Sequence, residues 1–326
     1  TQRSSIGLSS ADLVTDVSIF LQSAFRSSYR LMRLQGMSDY LVQGTLKFRT
    51  GYKLQRRWGI TEACVFTLEC IGAPLLAMSL LFEAPLSAFL VGLLMVILAI
   101  ALLLFHLGHP RRAWKAVLNL RHSWISRGTL ALGAFVALGV IYLMVRLWTG
   151  PEPLHGVNAI ARWVFAGGAL FIGLYPGLVL SASPAIPFWN SGLLPVLSLV
   201  QGVTGATAVL MAIEGGRASL PETALAELLL WSLAVLALVL GMYVAAMLRR
   251  GGAGAESARH LLRDHPLLFL SAACGAGIVL PFVLTAWTVG GGGGTFVLAS
   301  IAVARLGGDL ALRQAFLKVG MFDSVA

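Results

Sequence analysis

HLGHPRRAWKAVLNLRHSWISRG, residues 106–128, is a long polar stretch with an apolar run on either side. It holds Arg111, Arg112, Lys115, Arg121 and Arg127 and contains no acidic residue. The apolar run before it ends at Phe105, and the next begins near Thr129. A connection this basic between two hydrophobic segments reads as a cytoplasmic loop at a membrane surface, the side on which Lys and Arg accumulate.

The rest of the chain agrees with that reading. Of its 326 residues 57% are apolar and 12% charged, and the mean hydropathy is +0.83. That leaves too little polar surface for a water-soluble globule. Runs of about 20 apolar residues recur, the length that crosses about 30 Å of hydrocarbon, so the spans are helical and not barrel strands. Eight are expected, at roughly 60–82, 86–105, 128–148, 159–181, 193–213, 224–248, 267–289 and 295–313. The expected fold is therefore an all-α integral membrane protein with eight transmembrane helices in two four-helix bundles, divided at the loop Pro184–Gly192. Gly173 with Gly177, and Gly202 with Gly205, are small residues spaced to let helices approach closely.

Charge supplies the topology. Of the 24 Lys and Arg, nine precede Trp58 and five lie in the 106–128 loop. Arg249, Arg250, Arg259, Arg263, Arg305, Arg313 and Lys318 fall on or near the same side, whereas Arg146, Arg162 and Arg217 fall on the other. This bias predicts cytoplasmic termini and a cytoplasmic 106–128 loop. The net charge of +10 thus concerns lipid and protein partners, not nucleic acid, because the basic residues sit in loops between spans. Residues 1–57 are expected to form a basic N-terminal segment ahead of a membrane domain over 58–326. Within it Arg26, Arg30 and Arg33 share a helical face opposite Leu21, Phe25 and Met32. That pattern fits an interfacial helix or docking arm, or simply a basic tail; it lacks the apolar core of a secretory signal.

Few residues are left to carry chemistry. The six histidines, at 106, 109, 122, 155, 260 and 265, lie in loops or at span ends, so no two can sandwich a haem inside the bilayer. Cys64, Cys70 and Cys274 lie in apolar runs without a CxxC, which predicts no disulfide, zinc or iron–sulfur site. Charges inside or at the edge of a membrane are costly, so Glu62, Glu69, His106, Arg305 and Asp309 become the candidates. Glu62 and Glu69 are seven residues apart, nearly on one helical face, which suits either a proton path along the helix or pairing with a neighbouring arginine. Arg305 and Asp309, at i and i+4, can form a local ion pair. His106 closes the second span ahead of Gly108, Pro110 and two arginines; it can cap the loop, or exchange a proton with a quinone carbonyl.

H-L-G-H-P-R-R-A-W from His106, S-W-I-S from Ser123, Tyr175-Pro176-Gly177 and P-F-W-N from Pro187 together carry a resemblance. Over residues 58–320 the chain resembles the NrfD/PsrC family of polysulfide reductase membrane subunits, with a loop motif similar to the anchors of dimethyl sulfoxide reductase and sulfite dehydrogenase. The resemblance implies a subunit that holds ubiquinone or menaquinone and carries no haem or metal of its own. It further implies a four-cluster, ferredoxin-like iron–sulfur partner and a catalytic partner with a molybdenum-bis(pyranopterin), acting on a sulfur compound, in a bacterial or archaeal cytoplasmic membrane. His106 matches the motif histidine that serves the quinol in relatives, Tyr175 a fourth-span tyrosine near the pocket, and Trp58 a tryptophan at the start of the first span. Glu62 stands where relatives carry other polar contacts. Arg111 and Arg112 would face the iron–sulfur subunit, and Glu69, Arg305 and Asp309 would serve a proton path. Two departures stand out: Gly128 replaces an acidic residue, and the basic N-terminal segment is long. An ion-translocating quinone module and a secondary transporter are the alternatives.

Overall fold

The computed structural model describes residues 52–106, 120–121, 123–150, 155–215 and 222–323. The basic stretch 17–37 and the pair Arg111 and Arg112 lie outside the described residues. Eight helices are long and apolar enough to cross a membrane among the described residues. In chain order they are α1 (Ile60–Leu81), α2 (Leu86–His106), α3 (Trp124–Thr149), α4 (His155–Ser181), α5 (Leu193–Glu214) and α6 (Glu222–Arg250). A short surface helix follows, α7 (Gly252–Arg263), then α8, which is π-helical over Leu267–Val279 and α-helical over Leu280–Val289, and α9 (Thr295–Lys318). Two-residue strands β1 (Lys53–Leu54) and β2 (Met321–Phe322) pair antiparallel and join the ends of the described domain. The chain is an all-α, eight-span integral membrane protein.

Helix ends depart from the expected spans for local reasons. α3 begins at Trp124 and not at 128, because Ser123 caps it: its side chain accepts the Ser126 N–H at 3.2 Å. Arg127 then turns back, donating to the carbonyls of Leu120 and Arg121 at 2.8 Å each and resting on the Trp124 ring. The S-W-I-S segment is thus a helix start. α9 runs on to Lys318, five residues past the expected end, so Arg313 lies within the helix and is buried, as is Arg305. The Gly252–Arg263 helix gives no span-like signal in the sequence because its Gly- and Ala-rich side, not a hydrophobic stripe, packs inward.

α1 packs on α2 and α4, and α3 closes the far side between α2 and α4. α5 packs on α6 and α9, with α8 lying against α9 and α6. The two sets meet where α1 and α4 contact α5 and where α1 touches α9, so α1 and α5 are the most buried spans. α2, α3 and α6 turn Leu94, Ile141, Trp148, Trp231 and Leu238 outward, an apolar surface suited to lipid.

Contact between the spans depends on absent side chains. A Cβ at Gly202 would strike the Cys70 carbonyl of α1, and one at Gly177 would strike Leu194 and Pro195 of α5. At Gly308 a Cβ would collide with the Gly277 backbone of α8, whereas at Gly307 it would meet nothing within 4 Å. Gly308→Ala is expected to destabilise by about 1–3 kcal/mol as an overpacked contact. Gly307→Ala is expected to be neutral or to stabilise by up to about 1 kcal/mol, since Ala is the better helix former. Thermal unfolding of the two variants in the same detergent checks the contrast, and equal effects would contradict the packing.

Candidate functional site

α1 and α2 bring two of the sequence candidates together at the end of the described domain where β1 and β2 pair. Glu62 lies in the first turn of α1 and His106 is the last residue of α2, with Nε2 3.1 Å from Glu62 Oε1. The other carboxylate oxygen, Oε2, accepts the Gly59 backbone N–H at 2.7 Å, so the same group caps the start of α1. One carboxylate therefore fixes both a helix end and an imidazole. The histidine side chain is 55% exposed and that of Glu62 19%, so the pair is open on one side. Phe105, the residue before His106, is exposed.

Trp58 stands just ahead of this cap. Its ring packs on Phe66 and Trp189 at centroid separations of 5.7 and 5.8 Å. Buried Gln55 holds its backbone, accepting the Trp58 N–H at 2.9 Å and donating to the Trp58 carbonyl at 2.9 Å, while also reaching the Leu317 carbonyl of α9. The P-F-W-N loop closes the same face. Trp189 donates to the Phe316 carbonyl at 3.0 Å, Asn190 to the Ser181 carbonyl at 2.7 Å, and Arg250 to the Asn190 carbonyl at 2.7 Å. Tyr243 donates to the Phe188 carbonyl. The motif's side chains are used in closing the helix ends.

Tyr175 occupies a different place. It is buried on α4 with its ring near Phe171 and against Gly128 of α3, where any Cβ would overlap the ring. Gly128 thus makes room for the tyrosine. Glu69 lies close enough to act on the Tyr175 hydroxyl electrostatically. Glu69 is itself fully buried, about 10 Å deeper along α1 than Glu62 at 1.5 Å per residue.

Around Glu69 the structure gathers a second group of polar side chains. Arg305 and Asp309 form an ion pair, and Asp309 Oδ1 also accepts from Gln201 Nε2 at 3.2 Å. Arg305 reaches across to the Gly277 carbonyl of α8. That carbonyl belongs to the π-helical stretch of α8. Both terminal nitrogens of Arg313 lie 3.4 Å from Ser198 Oγ, and Cys70 Sγ donates to the Ser198 carbonyl at 2.9 Å. The charge of Arg313 acts on Glu69, Cys70, Asp309 and Arg305 alike. The sequence reading missed Arg313, Gln201, Ser198 and Cys70 as members of this group. The signal was present for Arg313, which continues the i, i+4 row of Arg305 and Asp309.

Residues 55–322 match the family described as Polysulphide reductase, NrfD. The chain belongs to this family. Two relatives are similar over shorter stretches. A sulfite dehydrogenase subunit of Allochromatium vinosum is 39% identical over 70 residues, 22% of this chain and 22% of that protein. Protein NrfD of Escherichia coli is 30% identical over 148 residues, 38% of this chain and 45% of that protein. The similarity therefore spans less than half the length of either curated relative.

Within this NrfD-family chain the Gly128–Tyr175 contact is testable directly. Gly128→Ala is expected to cost about 1–3 kcal/mol, because the ring is held between helices and cannot move without opening a neighbouring contact. Tyr175→Leu in the same chain should recover part of that loss. A double-mutant cycle on thermal stability measures it, and strict additivity of the two changes would refute the contact.

Proposed function

We propose that this chain is the quinone-reactive membrane subunit of a molybdoenzyme complex, passing electrons between the quinone pool and an iron–sulfur subunit. The observation that carries the reading is the His106–Glu62 pair at the membrane edge in an NrfD-family chain. A quinone has a polar head with two carbonyls and an apolar tail, and undergoes two-electron, two-proton redox chemistry. The pair offers an imidazole and a carboxylate to such a head, and exposed Phe105 next to the imidazole offers apolar surface to a tail. In this reading His106 holds or delivers the proton at Nε2, and Glu62 orients the ring and balances its charge when protonated. Trp58, packed on Phe66 and Trp189, lies ahead of the same helix start, while Tyr175 would act from its separate, buried position on α4. Ubiquinone and menaquinone both meet this description.

The partner reading rests on the same face. Arg56, Arg57, Arg121, Arg249, Arg259 and Arg263 are exposed there, a cationic surface suited to an acidic partner protein. Arg111 and Arg112 join it in the proposal, which puts a four-cluster iron–sulfur subunit on this side with the molybdopterin catalytic subunit beyond it. The bias in basic residues supports a cytoplasmic location for this face and for the termini, in the cytoplasmic membrane of a bacterium or archaeon. That orientation, with the similarity to a sulfite dehydrogenase subunit, favours sulfite oxidation over reduction of polysulfide, thiosulfate or dimethyl sulfoxide. A secondary transporter would have spans broken near the midplane, and the eight described spans run continuously.

Gentle purification in detergent is expected to retain an iron–sulfur subunit, a molybdenum-containing subunit and extractable quinone. In that complex His106→Ala should lower quinone-linked turnover by about 100-fold or more, the scale of losing a positioned acid–base group, while an artificial dye still exchanges electrons with the catalytic subunit. Equal loss of both activities would trace the defect to assembly and not to the quinone site. Purification as a lone polypeptide without quinone would refute the proposal.

A further inference from the structure

At the ends of the spans opposite the His106–Glu62 pair, a cavity of about 350 Å³ lies where α5 and α8 end and α6 and α9 begin. That volume is in the range of small-molecule sites. Its floor is buried and apolar, formed by Met211, Leu225 and Leu298, except for one acid: Glu214, the last residue of α5, lines it at 3% exposure. The rim is largely exposed and is built from the turn Gly291–Gly294 and from Thr295. Gly291 and Gly293 stand at φ +85° and +122°, backbone that other residues rarely adopt, and a Cβ at Gly292 would strike the Trp287 indole. The rim therefore presents backbone in place of side chains, which leaves the floor open.

The lining selects the ligand. Among the described lining residues there is an acid but no Lys, Arg or His, so an anion would find no counter-charge at the floor. The C-terminal ends of α5 and α8 add to the preference for a cation there. Thr288 already donates its hydroxyl to the Thr285 carbonyl at 2.7 Å, so toward the cavity it can only accept. The floor thus suits an ammonium group with N–H bonds to give, and a carboxylate accepts several such bonds at once. The mouth has the opposite character. α9 begins at Thr295 with Gly294 as its N-cap, which supplies no capping side chain, so the positive end of that helix borders the cavity uncapped. A ligand with an ammonium at one end and an anionic group at the other matches both.

The depth of the cavity points to the source of such a ligand. Trp287 and Phe296, 55% and 85% exposed, adjoin the lining residues Thr288 and Thr295. Trp148, Trp163 and Trp231 are exposed in the halves of α3, α4 and α6 nearest the same end. Exposed aromatics gathered at span ends mark the level of the lipid head groups. We propose that this cavity binds the head group of an ethanolamine phospholipid, with its ammonium at Glu214 and its phosphate at the Gly294–Thr295 start of α9. A choline head has no N–H to donate, and a glycerol head brings no cation to the acid. The site lies at the far ends of the spans from the quinone reading and is independent of it.

The test is native mass spectrometry of the protein in the form in which it purifies in detergent, titrated with phosphatidylethanolamine, phosphatidylglycerol, phosphatidylcholine and free phosphoethanolamine. Phosphatidylethanolamine is expected to bind about tenfold more tightly than the other three, the scale of one charge-assisted hydrogen bond. Glu214→Gln should lower that affinity about tenfold and leave phosphatidylglycerol unaffected. Gly294→Asp, which puts a negative charge where the phosphate sits, should lower it as much. A Cβ at Gly294 meets nothing within 4 Å, and Asp is the better N-cap, so this variant should unfold at the same or a higher temperature than the unmodified protein, and its lost binding cannot be traced to misfolding. Comparable binding of the three lipids, or selective binding that survives both substitutions, would overturn the proposal. Phosphoethanolamine binding as tightly as the whole lipid would reassign the cavity to a soluble amine and refute the lipid reading. Loss in only one of the two variants would refute the orientation given to the head group.

Discussion

Burying charge inside a membrane constrains this structure more than any other feature. A charged side chain at the centre of a spanning helix costs about 2.5–3.5 kcal/mol on insertion scales, and this chain carries Glu69, Arg305, Asp309 and Arg313 on spans. None of them can face lipid. The helices that bear them, α1 and α9, must therefore be interior, and α5 must lie between them to supply Ser198 and Gln201. α2, α3 and α6 are then left to meet the hydrocarbon. Which helix is central thus follows from four side chains.

Keeping those charges satisfied in turn demands short interhelical distances. Gly202 and Gly205 allow α5 to come against Cys70 on one side and Asp309 on the other, and the Gly277–Gly308 contact brings α8 within reach of Arg305. The acceptor for Arg305 is the Gly277 carbonyl, within the π-helical stretch of α8. The helix irregularity and the small residues are therefore parts of one arrangement. The π-helical stretch over Leu267–Val279 ends where that carbonyl is needed, consistent with the tendency of such stretches to occur at special sites.

Much of this was legible in the sequence, and the reason differs from residue to residue. The eight spans could be read because hydrocarbon thickness imposes a length on apolar runs, and Arg305 with Asp309 could be paired from their spacing alone. His106 could be picked out as a membrane-edge histidine, but its partner could not: Glu62 lies 44 positions earlier, and only the antiparallel packing of α1 on α2 brings them to 3.1 Å. The capping role of Glu62 was hidden for a second reason, because Gly59 has no side chain to announce a cap. Gln201 and Ser198 were unreadable as neighbours of charge, since polar residues in an apolar helix give no sign of what they face. The motif P-F-W-N carried the family resemblance, and the structure shows a physical reason for the pattern: Trp189 and Asn190 bond the ends of α9 and α4, and the Phe188 carbonyl accepts from Tyr243 of α6.

The two polar groups on α1 differ in what surrounds them, and that difference governs what each can do. Glu62 sits at a helix N-terminus with both oxygens engaged, one by a backbone N–H and one by an imidazole, in a site open to its surroundings. Such a carboxylate is suited to hold its partner still. Glu69 has no backbone donor, because it lies mid-helix where every N–H is already committed to the carbonyl one turn earlier. Its stabilisation must come from side chains on other helices, and Arg313 provides it through charge without a direct contact. The same helix thus presents a capped acid at its open end and a fully buried one two turns deeper.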